Sequence, residues 1–509
     1  MNSDLIRKDT AARESIVNDI QHNFFVEAGA GSGKTTVLVK RMVGMVEAGI
    51  DVSSICAITF TKAAANEFYE RFQKALIERS QEKTAENFTP QLGELGNPSD
   101  ITRERCFKAL QNIDLCFMGT IDSFCNMILS EHPVEAGIPS EAAVTDEEEM
   151  EQYYLHEYNR IQNGEEGERL KDLSDQFRKY HRRSEQAFTA ILKKLMATRS
   201  AEHRYQKREE MDADEQFAQQ KQRYIKIYNA ICQHPETLYT NNSESRDAWR
   251  TLSFKITRIS ESWNDILPEI ASLIRSISKL RLNPMENLET VLPELNLCFV
   301  PHCRASGGKI QWYEMSEDMG KAIYEGIEEQ IYYISMLFCT ECMNLITARL
   351  RKEGRLSFFD YLLYLRDMLR EDAAAEGKLI RHISERHRHF LIDEFQDTDP
   401  IQAEIFFYLA ADKIGKKWYE CQLRQGALFI VGDPKQSIYR FRNADVSSYL
   451  NIRSRFEDVK VGQVLYLSRN FRSTETMCQW FNEAFQHLLA EDTADQSRYE
   501  LIPLSGSRK

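Results

Sequence analysis

The sequence predicts an α/β fold with a parallel sheet that is interrupted by a large, mostly helical insertion. Short apolar runs alternate with helical segments in the first and last parts of the chain, an order typical of parallel sheets. A glycine-rich loop joins the first apolar run to the first helix of this pattern. Between the two α/β parts lies a long stretch rich in Glu, Lys, Arg, Gln and Leu with helical periodicity.

The first α/β part covers residues 1–145. An apolar run over residues 24–26 predicts a strand, which leads into AGAGSGKTT and the helical pattern VLVKRMVGMVEAG. The run ICAITF predicts a second strand, and AAANEFYERFQKALIER a helix after it. A polar loop with Pro and Gly follows, and LCFMGT then predicts another strand before a helix that starts near Asp122.

The insertion is predicted to cover residues 146–355, with helices such as EEMEQYYLHEYNRI, AFTAILKKLMATR and DILPEIASLIRSISKL. The α/β pattern returns over residues 356–475. Its strands are predicted at HFLIDEF, ALFIVGD and KVGQVLYL, with the helix IQAEIFFYLA between the first two. Residues 476–509 are predicted to form a helix, TMCQWFNEAFQHLLA, and a short polar tail.

Composition excludes several classes of protein. The chain has 509 residues, 42% of them hydrophobic and 28% charged, which argues against wholesale disorder. Because the net charge is −13, any contact with nucleic acid must come from local patches. The N-terminus is too polar for a signal peptide, and we expect no run of ~18 apolar residues and hence no membrane contact.

The cysteines indicate a reducing compartment. The 11 cysteines are scattered without the spacing of a disulfide framework, so we expect a cytoplasmic protein. Cys339 and Cys342 have CxxC spacing in a helical stretch, but no second pair accompanies them. We therefore favour core cysteines over a metal site.

The loop after the first strand matches the Walker A pattern, with Ala28 in the first glycine position. Its glycines allow backbone N–H groups to face phosphates at the start of a helix. Lys34 would neutralise the β- and γ-phosphates, and the Thr35 hydroxyl would hold Mg²⁺. The alternative is a flexible turn without a ligand, which the strand–loop–helix context disfavours. The predicted nucleotide-binding residues here are Ala28, Gly29, Ala30, Gly31, Ser32, Gly33, Lys34, Thr35 and Thr36.

A carboxylate pair supplies the second half of a nucleotide site. In LIDE, the apolar residues carry a strand into the core, and Asp393 and Glu394 emerge at its end. Asp393 would hold Mg²⁺ through water, and Glu394 would orient or deprotonate the attacking water. Alone, such a pair is more often a solvated strand end; beside a Walker A loop, the catalytic interpretation is favoured.

Several motifs then resemble one family. DEFQDTD is similar to motif II of the UvrD/Rep family of superfamily 1 helicases, VGDPKQSIYRFRNAD to motif III and LYLSRNFRST to motif IV. TFTKAAANEF and GTIDSFC resemble motifs Ia and Ib, and the forms TFT-x-AAA and GDPKQ favour the RecB/AddA branch. The resemblance implies a RecA-like P-loop NTPase domain that uses ATP and Mg²⁺.

The resemblance also implies roles for individual residues. Gln436 would sense the γ-phosphate, and Arg472 would contact it. Phe471 would pack on adenine, and Arg442 would bridge the nucleotide and DNA sites. Tyr439 and Phe441 would stack on single-stranded bases, and the alternative for both is that they pack in the hydrophobic core. The remaining implied DNA contacts are Thr59, Phe60, Thr61 and Thr120.

Two positions depart from the family pattern. Members usually carry a glutamine before the Walker A strand that reads adenine, whereas here Asp9 and Arg13 occupy that region. Adenine selectivity is therefore not implied, and Arg13 is a candidate for packing near the base. Asp122 replaces the histidine common in motif Ib, and we do not assign it to DNA because an acid repels phosphate.

A basic stretch in the insertion has two interpretations. The corresponding insertion of the family touches duplex DNA, but charge runs usually mark solvated helices, and acidic residues lie nearby. We favour a solvated helix face. The stretch comprises Arg178, Lys179, His181, Arg182, Arg183, Lys193, Lys194 and Arg199.

The motifs thus predict the ATP-binding half of a motor that moves on single-stranded DNA, 3′ to 5′ by resemblance, in DNA repair or recombination. The expected partners are single-stranded DNA, single/double-strand junctions and a helicase–nuclease partner subunit. We find no counterpart of the later motifs, so we expect a second RecA-like domain to be lacking and hydrolysis by this chain to be weak. The alternative is a non-motor ATP-binding switch or partner-binding module. A metabolic kinase would leave TFTKAAANEF and GDPKQSIYRFR unexplained.

Overall fold

The computed structural model describes residues 2–81, 99–181, 183–199, 247, 250, 281–282, 299–303, 310–315, 317–438, 446–458, 460–491 and 504–508. The chain divides into two compact units. The first comprises Met1–Val144 and Glu353–Lys509, and the second comprises Thr145–Lys352.

The first unit begins with an alternation of helices and strands. Its first helices are α1 (Asn2–Asn18), α2 (Lys34–Glu47), α3 (Lys62–Gln81), α4 (Asp100–Gln111), α5 (Ile121–Glu131) and α6 (Pro133–Ala136). Its first strands are β1 (Phe24–Ala28), β2 (Ile55–Thr59), β3 (Phe117–Thr120) and β4 (Ala143–Val144).

The described residues of the second unit are mainly helical. Their helices are α7 (Glu147–Gln162), α8 (Glu168–Tyr180), α9 (Ser184–Thr198) and the long α10 (Glu317–Glu353). Its strands are β5 (Arg281–Leu282), β6 (Phe299–Cys303) and β7 (Ile310–Met315), which form an antiparallel sheet in the order β5-β7-β6.

The chain then completes the first unit. The remaining strands are β8 (Arg355–Leu356), β9 (His389–Ile392), β10 (Ala411–Lys413), β11 (Gln422–Leu423), β12 (Leu428–Gly432), β13 (Gln463–Leu467), β14 (Arg469–Thr474) and β15 (Ser505–Arg508). The remaining helices are α11 (Phe358–Ala374), α12 (Lys378–Arg386), α13 (Pro400–Leu409), α14 (Val446–Arg455) and α15 (Glu475–Glu491).

A six-stranded parallel sheet organises the first unit, in the order β13-β1-β12-β9-β2-β3. Its central strands are buried on both faces by the helices that cover the sheet. Successive side chains of a strand point to opposite sides and therefore enter different parts of the core. Along β1, for example, Phe24 and Val26 enter one apolar cluster and Phe25 enters another. This sheet, covered by helices, confirms the predicted α/β class.

The parallel order brings several loops to one edge of the sheet. The strands β1, β9 and β12 are neighbours, and their carboxyl ends therefore meet at the same edge. The residues that follow them are the glycine-rich loop, the carboxylate pair and the segment that starts at Asp433. The candidate site lies at this edge.

The core of the second unit is aromatic. Tyr158, Phe177, Phe188 and Phe338 are fully buried and pack on one another, with ring centroids 4.7 Å apart for the Tyr158–Phe188 pair. Cys339 and Cys342 of α10 belong to the same core, which confirms that they are core cysteines. Burial raises the pKa of the Cys339 thiol to about 12. Within the described residues, no group of three His, Cys, Asp or Glu could hold a metal ion.

The basic stretch of the second unit is partly neutralised by its acidic neighbours. Lys193 pairs with Glu151 at 2.6 Å and with Glu147 at 3.5 Å, and Arg178 lies 3.8 Å from Asp175. These pairs agree with the solvated interpretation. Arg182 and the side chain of Lys179 lie outside the described part of the chain.

Several short strands were not predicted. The sheet β5-β7-β6 lies within the insertion, β14 pairs with β15 in parallel, and β10 pairs with β11. The segments RNFRST and SGSR are polar and lack the alternation that marks a half-buried strand, so their pairing depends on tertiary contacts. The predicted helix DILPEIASLIRSISKL lies outside the described residues.

One helical segment contradicts the expectation that no stretch could span a membrane. Among the described residues, the helical segment Ile331–Glu353 is long and apolar enough to cross a membrane, by length and composition alone. Its apolar side chains Phe338, Ile346 and Leu350 pack in the core of the second unit, and Glu341 pairs with Arg169. Core packing therefore accounts for part of the apolar character of this helix, since 33% of its most apolar stretch is buried.

Candidate nucleotide-binding site

The loop between β1 and α2 requires glycine at two positions. Gly31 and Gly33 have φ angles of +77° and +79°, a region that residues with a Cβ rarely adopt. A Cβ on Gly31 would also lie 2.7 Å from Asn470 Oδ1. With these angles the loop turns directly into α2, whose first N–H groups have no acceptor within the helix. Such a helix start binds anions such as phosphate.

Lys34 lies at that helix start and contacts the carboxylate pair across the edge of the sheet. Its Nζ is 2.7 Å from Glu394 Oε2, and the Lys34 side chain is 10% exposed. Glu394 has a φ of +52°, the one positive φ at a non-glycine position among the described residues. A strained backbone of this kind is typical of sites where a side chain must be aimed.

Asp393 is buried beside this pair. Burial, and then repulsion by Glu394, raise the pKa of Asp393 to about 6, and Lys34 offsets part of the rise. The Glu394 N–H donates to Asp393 Oδ1 at 3.0 Å. A buried carboxylate whose charge is poorly compensated fits a divalent cation, which would restore the favoured charged form. Asp393 and the Thr35 hydroxyl are the groups that could hold Mg²⁺.

A cavity of about 530 Å³ opens over the loop, a size suited to a small ligand. It brings together most of the predicted nucleotide-site residues with two that sequence reasoning missed, Glu67 and Arg71 of α3. Glu67 and Arg71 form an ion pair, and helical spacing alone does not show which face of α3 meets the loop. The residues that line the cavity are Ala30, Gly31, Gly33, Lys34, Thr35, Thr36, Glu67, Arg71, Glu394, Gln436, Phe471 and Arg472.

The other loop residues lie around this cavity. Ala28 and Gly29 line a second cavity, of about 590 Å³, which also contacts Ala30, Gln436 and Arg472. Ser32 is fully buried, and within the described part of the chain its hydroxyl has no hydrogen-bond partner. A buried, unsatisfied hydroxyl in the loop leaves one donor for a bound ligand.

Phe471 lies beside the loop and is held there by main-chain contacts. Its N–H donates to the Gly31 carbonyl at 2.8 Å, and the residue is 41% exposed. The Arg13 guanidinium lies 5.0 Å from the ring centroid, so Arg13 lies near the ring predicted to take adenine. An exposed ring lining the cavity could stack on a base.

Asp9 and Arg13 connect α1 to both the loop and the β14 segment. Arg13 donates from Nε to Asp9 Oδ2 at 2.7 Å and from Nη2 to the Ser32 carbonyl at 2.8 Å. Asp9 Oδ1 accepts the N–H groups of Ser468 at 2.8 Å and Arg469 at 3.1 Å. The sequence indicated that these residues depart from the family pattern but not that they join two segments.

Gln436 is held in a turn after β12. The turn Pro434–Gln436 is capped by Asp433, whose carboxylate accepts from Gln436 Nε2 at 2.6 Å and lies 3.0 Å from Lys435 Nζ. Gln436 lines both cavities, as does Arg472. These two side chains therefore lie where a bound phosphate could be sensed.

The residues implied to contact DNA are only partly accessible. Thr59 is 2% exposed, and its hydroxyl donates to the Thr61 carbonyl at 2.9 Å. This position does not fit a side-chain contact with DNA; Thr59 instead shapes the turn after β2. Phe60 is half-buried and Thr61 is exposed, while Thr120 caps α5 by accepting the Ser123 N–H at 3.2 Å. Tyr439, Phe441 and Arg442 lie outside the described residues.

Comparison with known proteins places these features in a family. The model of the UvrD/REP helicase N-terminal domain matches residues 9–292 and 321–457. The chain is also similar to several proteins that are named as ATP-dependent helicase/nuclease subunits. It is 22% identical to the Pediococcus pentosaceus protein over 96% of this chain and 40% of the relative. For the relatives from Streptococcus sanguinis and Enterococcus faecalis, the identities are 24% and 25%, over 97% and 95% of this chain and 40% and 38% of each relative. The chain thus spans about two fifths of the length of these relatives.

Proposed function

Because the chain belongs to the UvrD/REP helicase family, we propose that it is the ATP-binding motor half of a DNA helicase. In this proposal the cavity over the glycine-rich loop takes Mg·ATP, and hydrolysis drives movement along single-stranded DNA. A second RecA-like domain would complete the site for rapid turnover. The proposed direction is 3′ to 5′, and the proposed setting is DNA repair or recombination.

The observation that carries this proposal is the contact between Lys34 and Glu394. The two residues are 360 positions apart, yet their side chains meet at 2.7 Å within one cavity. A lysine at a helix start suits phosphate, and an acid beside it suits a water nucleophile. A flexible glycine turn or a solvated strand end would not require this pairing.

The chain's own groups account for the hydrolytic step. The backbone N–H groups at the start of α2 and the Lys34 ammonium would bind the β- and γ-phosphates. Glu394 would take a proton from the attacking water, whose oxygen bonds to the γ-phosphorus while the bond to the β–γ bridging oxygen breaks. ADP leaves with the electron pair of that bond, and inorganic phosphate is the other product. Bound Mg²⁺ would neutralise charge that develops on the phosphate oxygens.

The remaining site residues have supporting roles in this proposal. Thr35 and Asp393 would hold the metal ion, Gln436 and Arg472 would contact the γ-phosphate, and Phe471 would pack on adenine. For the DNA path, the candidates that are not fully buried are Phe60, Thr61 and Thr120. A helicase–nuclease partner subunit is proposed because the similar proteins are named as subunits of an ATP-dependent helicase/nuclease.

Fluorescent-nucleotide binding tests this function on the chain itself. Lys34→Ala should weaken Mg·mant-ATP binding by roughly 100-fold, since it removes the cation that faces the phosphates. Lys74→Ala, on an exposed part of α3, is the matched control and should leave the affinity unchanged. Equal affinities in the wild type and Lys34→Ala would refute the proposed site.

Hydrolysis distinguishes a motor from a non-motor switch. Glu394→Gln should leave the nucleotide affinity within about threefold and lower the hydrolysis rate by roughly 100-fold or more, because it removes the base. Single-stranded oligo(dT) should stimulate the rate strongly in a longer chain that also carries a second RecA-like domain, and only weakly in this chain alone. Nucleotide binding without DNA-stimulated hydrolysis in both chains would instead favour the switch.

A further inference from the structure

We propose that Gln396 is a positioning residue that links the Glu394 carboxylate to the turn carrying Gln436, an inference that rests on the proposed function. Gln396 lies in the turn Phe395–Asp397 after β9 and is 2% exposed. Nothing in the sequence marks it beyond its place in DEFQDTD.

One end of the Gln396 amide holds the proposed base. Its Nε2 donates to Glu394 Oε2 at 2.8 Å, and the same oxygen accepts from Lys34 Nζ at 2.7 Å. Among the described residues, these are the side chains that hydrogen bond to the Glu394 carboxylate. If Lys34 moves onto a bound phosphate, Gln396 remains as the group that fixes the direction of this carboxylate.

The other end of the amide holds the turn after β12. Gln396 Oε1 accepts the Asp433 N–H at 2.9 Å, and the Gln396 main-chain carbonyl accepts the Ser437 hydroxyl at 3.1 Å. Asp433 in turn accepts from Gln436 Nε2 at 2.6 Å. Gln396 therefore contacts both the start of this turn and the residue after it.

The orientation of the amide is fixed by its partners. A main-chain N–H can only donate, and a carboxylate accepts, so each end of the amide matches one partner. A flipped amide would place two donors against each other at Asp433 and two acceptors against each other at Glu394. The network thus settles which atom is oxygen and which is nitrogen.

Close packing keeps this link short. A Cβ on Gly432 would lie 2.9 Å from Gln396 Oε1 and 3.3 Å from the Gln396 main-chain nitrogen. The absence of a side chain at Gly432 thus allows Gln396 to reach Asp433. Because these groups are closely packed, a shift of Glu394 should displace Asp433 and, through it, Gln436.

A double-mutant cycle tests the link in the 509-residue chain. Single-turnover hydrolysis of Mg·ATP, with the protein in excess, is compared for the wild type, Gln396→Met, Glu394→Gln and the double variant. Gln396→Met keeps the side-chain length but removes both hydrogen bonds. It should lower the hydrolysis rate roughly tenfold or more and change the Mg·mant-ATP affinity less than about threefold.

Measuring the effect of Gln396→Met in the Glu394→Gln variant separates a positioning role from a general structural role. If Gln396 acts through Glu394, Gln396→Met should have less than about a twofold effect on the rate once Glu394 is glutamine. Gln402→Met is the matched control: Gln402 Oε1 accepts the Asp399 N–H at 3.0 Å, and no bond joins it to Glu394. Its rate should match the wild type.

The outcomes distinguish this inference from the proposed function. An equal loss of rate in both backgrounds, or a wild-type rate in Gln396→Met, would overturn the positioning role. A wild type that binds nucleotide but hydrolyses it no faster than Glu394→Gln would overturn it as well. A wild type without Lys34-dependent nucleotide binding would refute the proposed function itself.

Discussion

At the scale of single residues, the glycine-rich loop depends on two requirements that meet at Gly31. The position needs a positive φ, and a Cβ there would lie 2.7 Å from Asn470 Oδ1 and 2.9 Å from Arg472 Cβ. Asn470 cannot withdraw easily, because its Nδ2 donates to the Ala30 carbonyl and its Oδ1 accepts from Arg472 and Ser473. A side chain at position 31 must therefore move the loop away from the β14 segment.

This geometry predicts the effect of Gly31→Ala. We expect a loss of roughly tenfold or more in Mg·ATP affinity, in addition to about 1–2 kcal/mol of stability lost to the left-handed backbone. Gly49→Ala is the control, since Gly49 has a φ of +96° but faces the flexible Arg105 side chain. It should lose stability and keep nucleotide affinity. Equal affinities in the two variants, measured by mant-ATP titration, would contradict this account.

The raised pKa of Asp393 predicts that the stability of the protein depends on pH. Its pKa is raised from 3.8 to about 6 in the folded protein, mainly by burial. The folded state therefore binds this proton more tightly than the unfolded chain does. Ionisation of Asp393 destabilises the fold above about pH 6, and the cost is relieved as the pH falls through 6 towards 4.

Asp393→Asn should therefore stabilise the nucleotide-free protein at high pH. We expect the free energy of unfolding to rise by about 1–3 kcal/mol at pH 8 and by roughly a third of that amount at pH 4.5, because asparagine does not ionise. Urea unfolding at the two pH values measures the difference. Asp412→Asn, at an exposed position, should show no such pH dependence. Stabilisation of equal size at both pH values would rule out the explanation by ionisation.

The site residues differ in how much of their arrangement could be predicted from the sequence. Lys34, Asp393 and Glu394 belong to local patterns, and Lys34 and Glu394 line one cavity as the patterns implied. The partners of Gln396 and Asp9 could not be predicted. Gln396 bonds to Asp433 across 37 positions and Asp9 to Ser468 across 459, and such pairs depend on strand order and register.

At the scale of elements, one buried arginine joins α1, α2 and the sheet. Arg41 of α2 donates from Nη1 to the carbonyls of Ile16 at 2.7 Å and Asp19 at 3.0 Å, and from Nη2 to that of His22 at 3.0 Å. Its guanidinium lies about 5 Å from the rings of two sheet phenylalanines. Burial lowers the pKa of Arg41 to about 10, so the group stays charged at neutral pH.

Arg41→Met should consequently destabilise the first unit strongly. It leaves three carbonyls without their donors in a buried place, for which we expect a loss of about 3–5 kcal/mol in urea unfolding. Lys108→Met, on the exposed side of α4, should change the free energy by less than about 0.5 kcal/mol. A small effect of Arg41→Met would show that water reaches these carbonyls.

The elements that the sequence predicted are those with a clear apolar pattern. The runs FFVEA, ICAIT and LFIVG form fully buried strands, and their alternation with helices was sufficient to predict the α/β class. The pairs β4–β8 and β14–β15 escaped prediction for a physical reason. They are short or polar, and their hydrogen-bond partners lie in distant parts of the sequence.

At the scale of the whole molecule, the nucleotide site belongs to the first unit and not to the mainly helical second unit. Every residue that lines the cavity of about 530 Å³ belongs to the first unit, and the second unit has its own aromatic core. A ligand stabilises the structure that binds it by an amount set by its concentration relative to Kd, about 2.7 kcal/mol at 100 times Kd. The stabilisation should therefore be local.

Hydrogen exchange with mass spectrometry measures this difference directly. With Mg·ATPγS at about 100 times Kd, we expect slower exchange in peptides from β1, the start of α2 and the residues after β9 and β12, because these segments surround the ligand. Peptides from α7 and α9 should exchange at the same rate with and without nucleotide. Lys34→Ala, with its roughly 100-fold weaker affinity, should reduce the stabilisation at equal nucleotide concentration from about 2.7 to about 0.4 kcal/mol. Protection of equal size in α7 and α9 would contradict this expectation. It would mean that nucleotide binding is energetically coupled to the folding of the second unit.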